Sequence, residues 1–518
     1  MSASAPAAGP RAWAGLAVLA LPTLLLALDI SVLHLAVPHL TAELRPSGDQ
    51  LLWIVDIYGF MIAGFLVTMG TLGDRIGRRR LLLIGAAAFG AASVAAAYAP
   101  SAELLIAARL LLGIAGATLM PSTLSLISNM FPDPRQRGFA IAVWAAMFSV
   151  GIAIGPIVGG VLLERFWWGS VFLLGVPVMA MLLVAGPLLL PESRDPRPGR
   201  LDLPSVVLSL AAMLPVTYAI KELAHGFGAG ALTALAAGVA AGVWFVRRQR
   251  VLADPLLDVR LFADRKFTSA LLILLVGTLT VGGVYLFVAQ YLQLVAGKSA
   301  LESGLWLLPS AVALIVSSMA APALARRFRA GRLIGAGLAV SALGYLLLTQ
   351  VGVDSGFGLL VAASILLEIG FGPVIALGTD LVVGSAPPEK AGAASAISET
   401  GTELGSALGV ALLGSVGAAV YRGEVGDALP AAAGETLAGA TEYAQELPAA
   451  AAREALHTAY EAFTGGLAAA GLIAAALAAG IAVLAVIGLR ETSDDDPAEQ
   501  APGDVTRVRG GGAPAARG

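Results

Sequence analysis

The sequence predicts an all-α, polytopic membrane protein with fourteen transmembrane helices, and three observations support this fold class. Of the 518 residues, 58% are hydrophobic and 13% are charged, with a mean hydropathy of +0.84; soluble domains are far more polar. The chain contains about fourteen apolar stretches near the ~20 residues that a spanning helix needs. Arginine and lysine are also distributed unevenly among the loops. The spans leave no room for a soluble catalytic domain, so an enzyme is not expected.

The apolar stretches follow one another with short connections. We expect spans at 13–35, 50–72, 81–99, 103–130, 138–163, 169–190, 203–221, 228–246, 267–295, 301–325, 332–350, 355–384, 390–420 and 464–489. The first stretch carries Asp29 and lacks a small-residue cleavage site, so it is expected to be a span and not a signal peptide.

The positions of the basic residues predict the topology, because arginine and lysine concentrate in cytoplasmic loops. With the N-terminus inside, 25 of the 32 basic residues fall in cytoplasmic segments, six fall outside, and Arg109 lies within a span. Both termini are therefore expected in the cytoplasm. Residues 1–12 become a cytoplasmic tail, 421–463 a large external loop, and 491–518 a disordered cytoplasmic tail.

Several chemistries lack the residues that they need. The chain has no cysteine, which excludes disulfides and thiolate metal sites. Its four histidines lack ligand spacing, and neither a P-loop nor a G-x-S-x-G motif is present. We expect no catalytic residues, no metal, no cofactor and no nucleic-acid partner.

A glycine- and arginine-rich turn is predicted between the second and third spans. Its principal residues are Gly70, Asp74, Arg75, Gly77 and Arg78. The glycines allow close backbone approach, and Asp74 can pair with an arginine. A generic positive-inside loop is the plainer alternative.

The fifth span carries a glycine pattern. Gly151, Gly155 and Gly159 are four residues apart and would form a flat face for helix packing. Pro156 would bend the helix.

Three charged residues are predicted at similar depth in different spans. Arg109 lies about six residues from the outer end of span four, a costly position unless the guanidinium is paired. Asp29 of span one and Asp56 of span two lie equally deep, at ~1.5 Å per helical residue. These groups form either a structural ion pair or a proton site in a wet cavity.

Acidic residues also occur in the C-terminal half. Glu399 and Glu403 are one helical turn apart on span thirteen, and Glu368 is near the predicted midplane of span twelve. Each central acid costs ~2.5–3.5 kcal/mol if uncompensated, so we expect these groups to face a cavity or carry protons. Asp380 lies nearer the cytoplasmic end, where a solvated or packing role is expected.

These motifs together resemble the fourteen-helix drug:proton antiporters of the major facilitator superfamily, the group of QacA-, SmvA- and LfrA-like pumps. The turn resembles that superfamily's signature loop, and the Gly151–Gly159 face resembles its antiporter motif. A second copy of the turn at 321–332 has the arginines but no matching Asp. Further likeness lies in the following segments: 23–177, with 53–58 and 121–126 inside it, 191–196 and 395–405.

The resemblance implies a function. Such pumps use the proton gradient to export quaternary ammonium compounds, dyes and sometimes fluoroquinolones. Acids on spans one, two and thirteen bind protons and cations, and the signature loop latches the cytoplasmic side. The partners expected are lipophilic cations, protons and the lipid bilayer, for a monomer in the bacterial inner membrane. An exporter of an antibiotic or metabolite for self-resistance is the alternative.

The resemblance also implies the domain organisation. A six-helix bundle at 13–190 and a second at 267–490 would enclose a cavity, with two additional helices in 191–266. Within the external loop, 449–463 is rich in alanine and lacks glycine and proline, which predicts a helix.

Overall fold

Helices form all of the regular secondary structure in the part of the chain that the structure describes. This part is residues 8–489 of a computed structural model, except 47, 195–201, 226–227, 253–254, 354, 356, 388–389, 431–433 and 435. The first nine helices are α1 (Pro10–Leu44), α2 (Gly48–Ile76), α3 (Arg78–Ala97), α4 (Ala102–Met130), α5 (Pro134–Arg165), α6 (Ser170–Leu173), α7 (Gly175–Leu189), α8 (Leu203–His225) and α9 (Ala229–Val251).

The second half of the chain continues in the same way. Its helices are α10 (Arg265–Gln290), α11 (Ala300–Leu324), α12 (Ala330–Leu348), α13 (Phe357–Gly384), α14 (Ala391–Val425), α15 (Leu437–Gln445) and α16 (Ala449–Gly488). A π-helical turn at Tyr291–Val295 extends α10.

The number of spans agrees with the sequence prediction. Thirteen described segments are long and apolar enough to cross a membrane, and α5, which bends by 43° between Ile152 and Ile157, is the fourteenth. The predicted all-α, fourteen-helix fold is therefore confirmed. The predicted helix at 449–463 is also present, but α16 runs without a break from Ala449 to Gly488. The helix that contains the last predicted span thus begins well before residue 464, because its alanine-rich start continues the helix.

Local sequence signals explain where several helices begin. Ser101 caps α4 by accepting the backbone N–H of Leu104 at 3.4 Å, and Asp133 caps α5 by accepting that of Arg135 at 3.2 Å. Ser299 and Glu302 form a capping box at the start of α11. These side chains satisfy backbone donors that the first helical turn leaves unpaired.

The helix contacts form two groups, which we call the first and second bundles, and these bundles meet along two seams. In the first bundle, α1 packs on α5 and α2 packs on α4. In the second bundle, α10 packs on α14 and α11 packs on α13. The bundles touch where α2 meets α14 and where α5 meets α11. Helix α8 packs on both α2 and α14, so the additional pair α8–α9 covers the first of these seams.

The additional pair is held at one end by a polar network. Arg248 of α9 donates two hydrogen bonds to Asp202, from Nε at 2.7 Å and from Nη2 at 2.8 Å. Hydrogen bonds from Arg248, which have the larger effect, and from Ser205 hold the pKa of Asp202 well below its ordinary value. Beyond α9, Lys390 Nζ lies 2.8 Å from Asp258 Oδ2, which ties the linker to the start of α14.

Candidate functional site

Arg109 of α4 links three helices of the first bundle. Its Nη1 lies 3.0 Å from Asp29 Oδ2 on α1, and its Nε donates to the carbonyl of Ile54 on α2 at 2.9 Å. The guanidinium also lies over the Tyr58 ring, 4.7 Å from the centroid. The side chain is 1% exposed, so these contacts offset the cost of burying its charge. The predicted pairing with Asp29 is present.

Asp56 is the other predicted partner of Arg109. Asp56 belongs to α2, but its side chain lies outside the described residues. Its role as a proton- or substrate-binding residue stays a prediction.

The two glutamates of α14 lie close to each other, as the spacing predicts. Glu399 is 5% exposed and interacts electrostatically with Glu403. Glu403 also interacts electrostatically with Tyr58, which in turn interacts with Asp29 and Arg109. Because α2 and α14 meet at the seam between the bundles, Tyr58 brings the charged groups of both bundles into one region. We call Asp29, Tyr58, Arg109, Glu399 and Glu403 the central site.

Tyr58 is the member of the central site that sequence reasoning missed. It is 2% exposed, and its hydroxyl has no hydrogen-bond partner within the described chain. A buried hydroxyl without a partner costs free energy unless a bound group satisfies it. The only signal in the sequence was its place on span two, close to Asp56.

Glu368 of α13 has two tyrosines of the second bundle as its electrostatic neighbours. Its electrostatic neighbours are Tyr285 of α10 and Tyr345 of α12. Its Oε2 atom is buried and has no hydrogen-bond partner in the described part of the structure. The second bundle therefore contains a buried carboxyl at Glu368, whose role in binding protons or substrate stays a prediction.

The signature turn forms a contact between the bundles. Asp74 accepts a hydrogen bond from Arg78 Nε at 2.8 Å and one from the backbone N–H of Ala393 at 3.1 Å. Ala393 is in the first turn of α14, so the carboxylate sits at the positive end of that helix dipole. A Cβ on Gly392 would overlap the Arg78 guanidinium, so glycine is required at this approach.

The remaining residues of the turn fit its predicted geometry. Gly77 has a φ of 109°, which favours glycine, and Gly70 lies against the backbone of Gly392. Arg75 lies in the last turn of α2 and is partly exposed. The close approaches predicted for this turn are therefore present.

A second polar contact joins the bundles at the other seam. Arg137 Nε of α5 donates to Asp380 Oδ1 of α13 at 2.7 Å. The sequence predicted a solvated or packing role for Asp380, and the structure pairs its carboxylate across the seam with a partner that the sequence did not identify. Both described hydrogen-bonded contacts between the bundles lie at the helix ends that carry the arginine clusters. We call this end of the protein the arginine-rich face.

The glycine pattern of α5 packs as predicted at Gly151. A Cβ there would overlap the backbone carbonyl of Leu24 and lie 2.8 Å from Ala27 Cβ on α1. Gly155 and Gly159 are also buried, while the Pro156 side chain lies outside the described residues. Helices α1 and α5 thus approach closely within the first bundle.

Comparisons with known proteins agree with this architecture. The family model of the Major Facilitator Superfamily matches residues 19–410. The multidrug efflux pump LfrA of Mycolicibacterium smegmatis is 48% identical over 92% of this chain and 96% of its own length. The methyl viologen resistance protein SmvA of Salmonella typhimurium is 36% identical over 78% of this chain and 82% of its own.

More distant similarities extend the comparison. The tetracenomycin C resistance and export protein of Streptomyces glaucescens is 32% identical over 83% of this chain and 80% of its own length. Among solved structures, the human organic anion transporter MFSD10 superposes with a TM-score of 0.56 at 16% identity, covering 91% of this chain and 100% of that one. That similarity supports the fold alone.

Proposed function

The chain belongs to the Major Facilitator Superfamily, and on this premise we propose that it is a proton-coupled antiporter that exports hydrophobic cationic drugs. Drug export in general is what its relatives support, since they include a multidrug efflux pump and antibiotic resistance proteins. The specific substrates and the coupling to protons are the proposal. The cytoplasmic position of the arginine-rich face belongs to it as well.

The charge balance of the central site is the observation that supports the proposal best. The site contains three carboxyl groups and one guanidinium, and Arg109 already pairs with Asp29. The glutamate pair on α14 adds two further carboxyl groups beside this ion pair. A buried carboxyl is stable when it binds a proton or lies beside a cation. Protons and a cationic drug would compete for these same groups, which is the basis of exchange.

The same balance constrains the stoichiometry. Two positive charges, supplied by two protons or by one dication, match the two carboxyl groups of the glutamate pair. Each charge that crosses a potential of ~100 mV exchanges about 2.3 kcal/mol with the field, so one dication against two protons is electroneutral. The relative named for resistance to methyl viologen, which is a dication, agrees with this type of substrate.

An antibiotic exporter for self-resistance is the second candidate. Relatives named for resistance to tetracenomycin C, puromycin and methylenomycin A favour it. Such a substrate could be neutral, but the excess of carboxyl groups in the central site opposes an anion.

Replacing the glutamate pair tests the proposal. The double substitution Glu399→Gln and Glu403→Gln removes both charges and keeps the side-chain shape, so it should abolish resistance to methyl viologen in cells that rely on this pump. Glu454→Gln, on the exposed start of α16, is the matched control and should keep full resistance. Unchanged resistance in the double variant, at equal membrane expression, would refute the role of the pair.

A further inference from the structure

We propose that the arginine-rich end of the α5–α11 seam binds the phosphate group of an anionic phospholipid. A cavity of about 320 Å³ opens there. Helices α1 and α5 of the first bundle line one side, and the end of α11 in the second bundle lines the other. The residues that matter for binding are Trp13, Arg135, Gln136, Phe139, Pro322 and Arg326. We call this cavity the seam pocket.

The basic residues at the seam pocket are available to a ligand. Arg135 and Arg326 are exposed, and Arg326 also lines an adjoining cavity of about 490 Å³ together with Arg327. Within the described chain, these three guanidinium groups make neither a hydrogen bond nor an ion pair with another side chain. A guanidinium recognises phosphate oxygens through paired hydrogen bonds.

The one acid that lines the pocket is already engaged. Asp133 Oδ1 accepts the backbone N–H of Arg135 at 3.2 Å as the N-cap of α5. The Oε1 atom of Gln136 similarly accepts the backbone N–H of Ala8 at 2.7 Å. The three guanidinium groups outnumber this single carboxylate, so the net charge at the mouth of the two cavities is positive.

The walls of the seam pocket are apolar and aromatic. The rings of Trp13 and Phe139 meet edge to face with centroids 5.9 Å apart, and Phe139 is 37% exposed. Aromatic residues of this kind favour the headgroup level of a bilayer. An apolar wall below a basic mouth fits an amphiphile with an anionic head, and basic pockets between helices on the cytoplasmic side bind such headgroups.

The seam pocket depends on the conformation of the bundles. Gly138, two residues after Gln136, would place a Cβ 3.6 Å from Pro322 Cβ and 3.8 Å from Asp380 Oδ2. The pocket thus borders the Arg137–Asp380 ion pair, and its two sides separate when the bundles part at this face. A ligand that binds only the closed arrangement shifts the equilibrium towards it. Anionic lipid should therefore favour closure of the arginine-rich face.

Distance measurements in nanodiscs test this proposal. Spin labels on cysteines at the exposed positions Arg194 and Arg329 report the separation of the bundles. Changing the lipid from phosphatidylcholine to a mixture with phosphatidylglycerol should raise the ratio of closed to open protein by about fivefold for each engaged arginine. The variant Arg135→Gln with Arg326→Gln should lose this response.

The controls separate the site from general surface charge and from free phosphate. Arg247→Gln with Arg250→Gln removes the same charge from the exposed end of α9 and should keep the full response. An absent response in the parent protein, or equal losses in both double variants, would overturn the proposal. If inorganic phosphate added to phosphatidylcholine nanodiscs reproduces the shift, the site binds free phosphate, and the assignment of a phospholipid as its ligand is wrong.

Discussion

Asp74 is expected to hold the arginine-rich face closed without taking part in substrate binding. Its carboxylate accepts the Ala393 N–H at 3.1 Å at the start of α14. It also lies 2.5 Å from Arg78 Nη2, whose side chain is fully buried. The contact with α14 crosses between the bundles, whereas the pair with Arg78 lies within one bundle. Only the first contact is lost when the face opens.

The substitution Asp74→Asn should therefore favour the open arrangement. A hydrogen bond to a charged group contributes about 1.5–3 kcal/mol, and the charge at the α14 dipole contributes ~0.3–1 kcal/mol. Asparagine retains an acceptor, so we expect a net loss of ~1–2 kcal/mol, or a factor of about 5–30 in the closed-to-open ratio. The unbalanced Arg78 cation beside the N-terminus of α14 acts in the same direction.

Two assays check this prediction. Spin-label distances between positions 194 and 329 should shift towards longer separations, and turnover should slow while the equilibrium affinity for substrate stays within a few-fold. Glu192→Gln is the matched control, because Glu192 contacts Arg79 within the first bundle only. An unchanged distance distribution, or a large loss of affinity, would refute the assignment of Asp74 as a conformational latch.

Three further predictions concern other parts of the chain. Arg137→Gln and Asp380→Asn should each open the α5–α11 seam in the same distance measurement, and the double variant should add little to either single one; additive effects would contradict a direct pair. A cysteine at Glu446, which is exposed at the end of α15, should react with an impermeant maleimide on intact spheroplasts, whereas one at Arg250 should react only after membrane disruption; the reverse pattern would overturn the topology. Because the pKa of Asp202 is lowered in the folded protein, its stabilising pair is present above the ordinary aspartate pKa of ~3.9 and is lost as the pH falls below it. Asp202→Asn should therefore lower the melting temperature at neutral pH, and the difference in melting temperature between variant and parent should shrink in acid. A difference that stays constant with pH would contradict the role of the pair.

The sequence was sufficient for the fold and for one pairing in the central site. Long apolar stretches and the distribution of arginines depend only on local composition, so the helices and their number followed directly. Asp29 and Arg109 could be paired because both were placed at the same depth by counting residues from the helix ends. Depth along the membrane normal is one coordinate that a sequence supplies.

The contacts that the sequence did not predict depend on helix rotation and on which helices are neighbours. Arg137 and Asp380 are separated by 243 positions, and their pairing requires α5 and α13 to meet across the seam. Glu368 has a central depth like the other acids, but its side chain lies near Tyr285 and Tyr345 in the second bundle. Tyr58 escaped notice because a tyrosine in an apolar helix is usually a packing residue.

The central claim, that protons and cationic drugs exchange at one carboxylate site, is tested most directly by transport in proteoliposomes. An imposed pH gradient should drive a lipophilic monocation against its concentration gradient, with protons moving in the opposite direction, and should leave a lipophilic anion of similar size unmoved. The Glu399→Gln and Glu403→Gln variant should lose dication transport driven by the same gradient. Transport of the monocation that is independent of the gradient, or equal transport of the anion, would contradict the account.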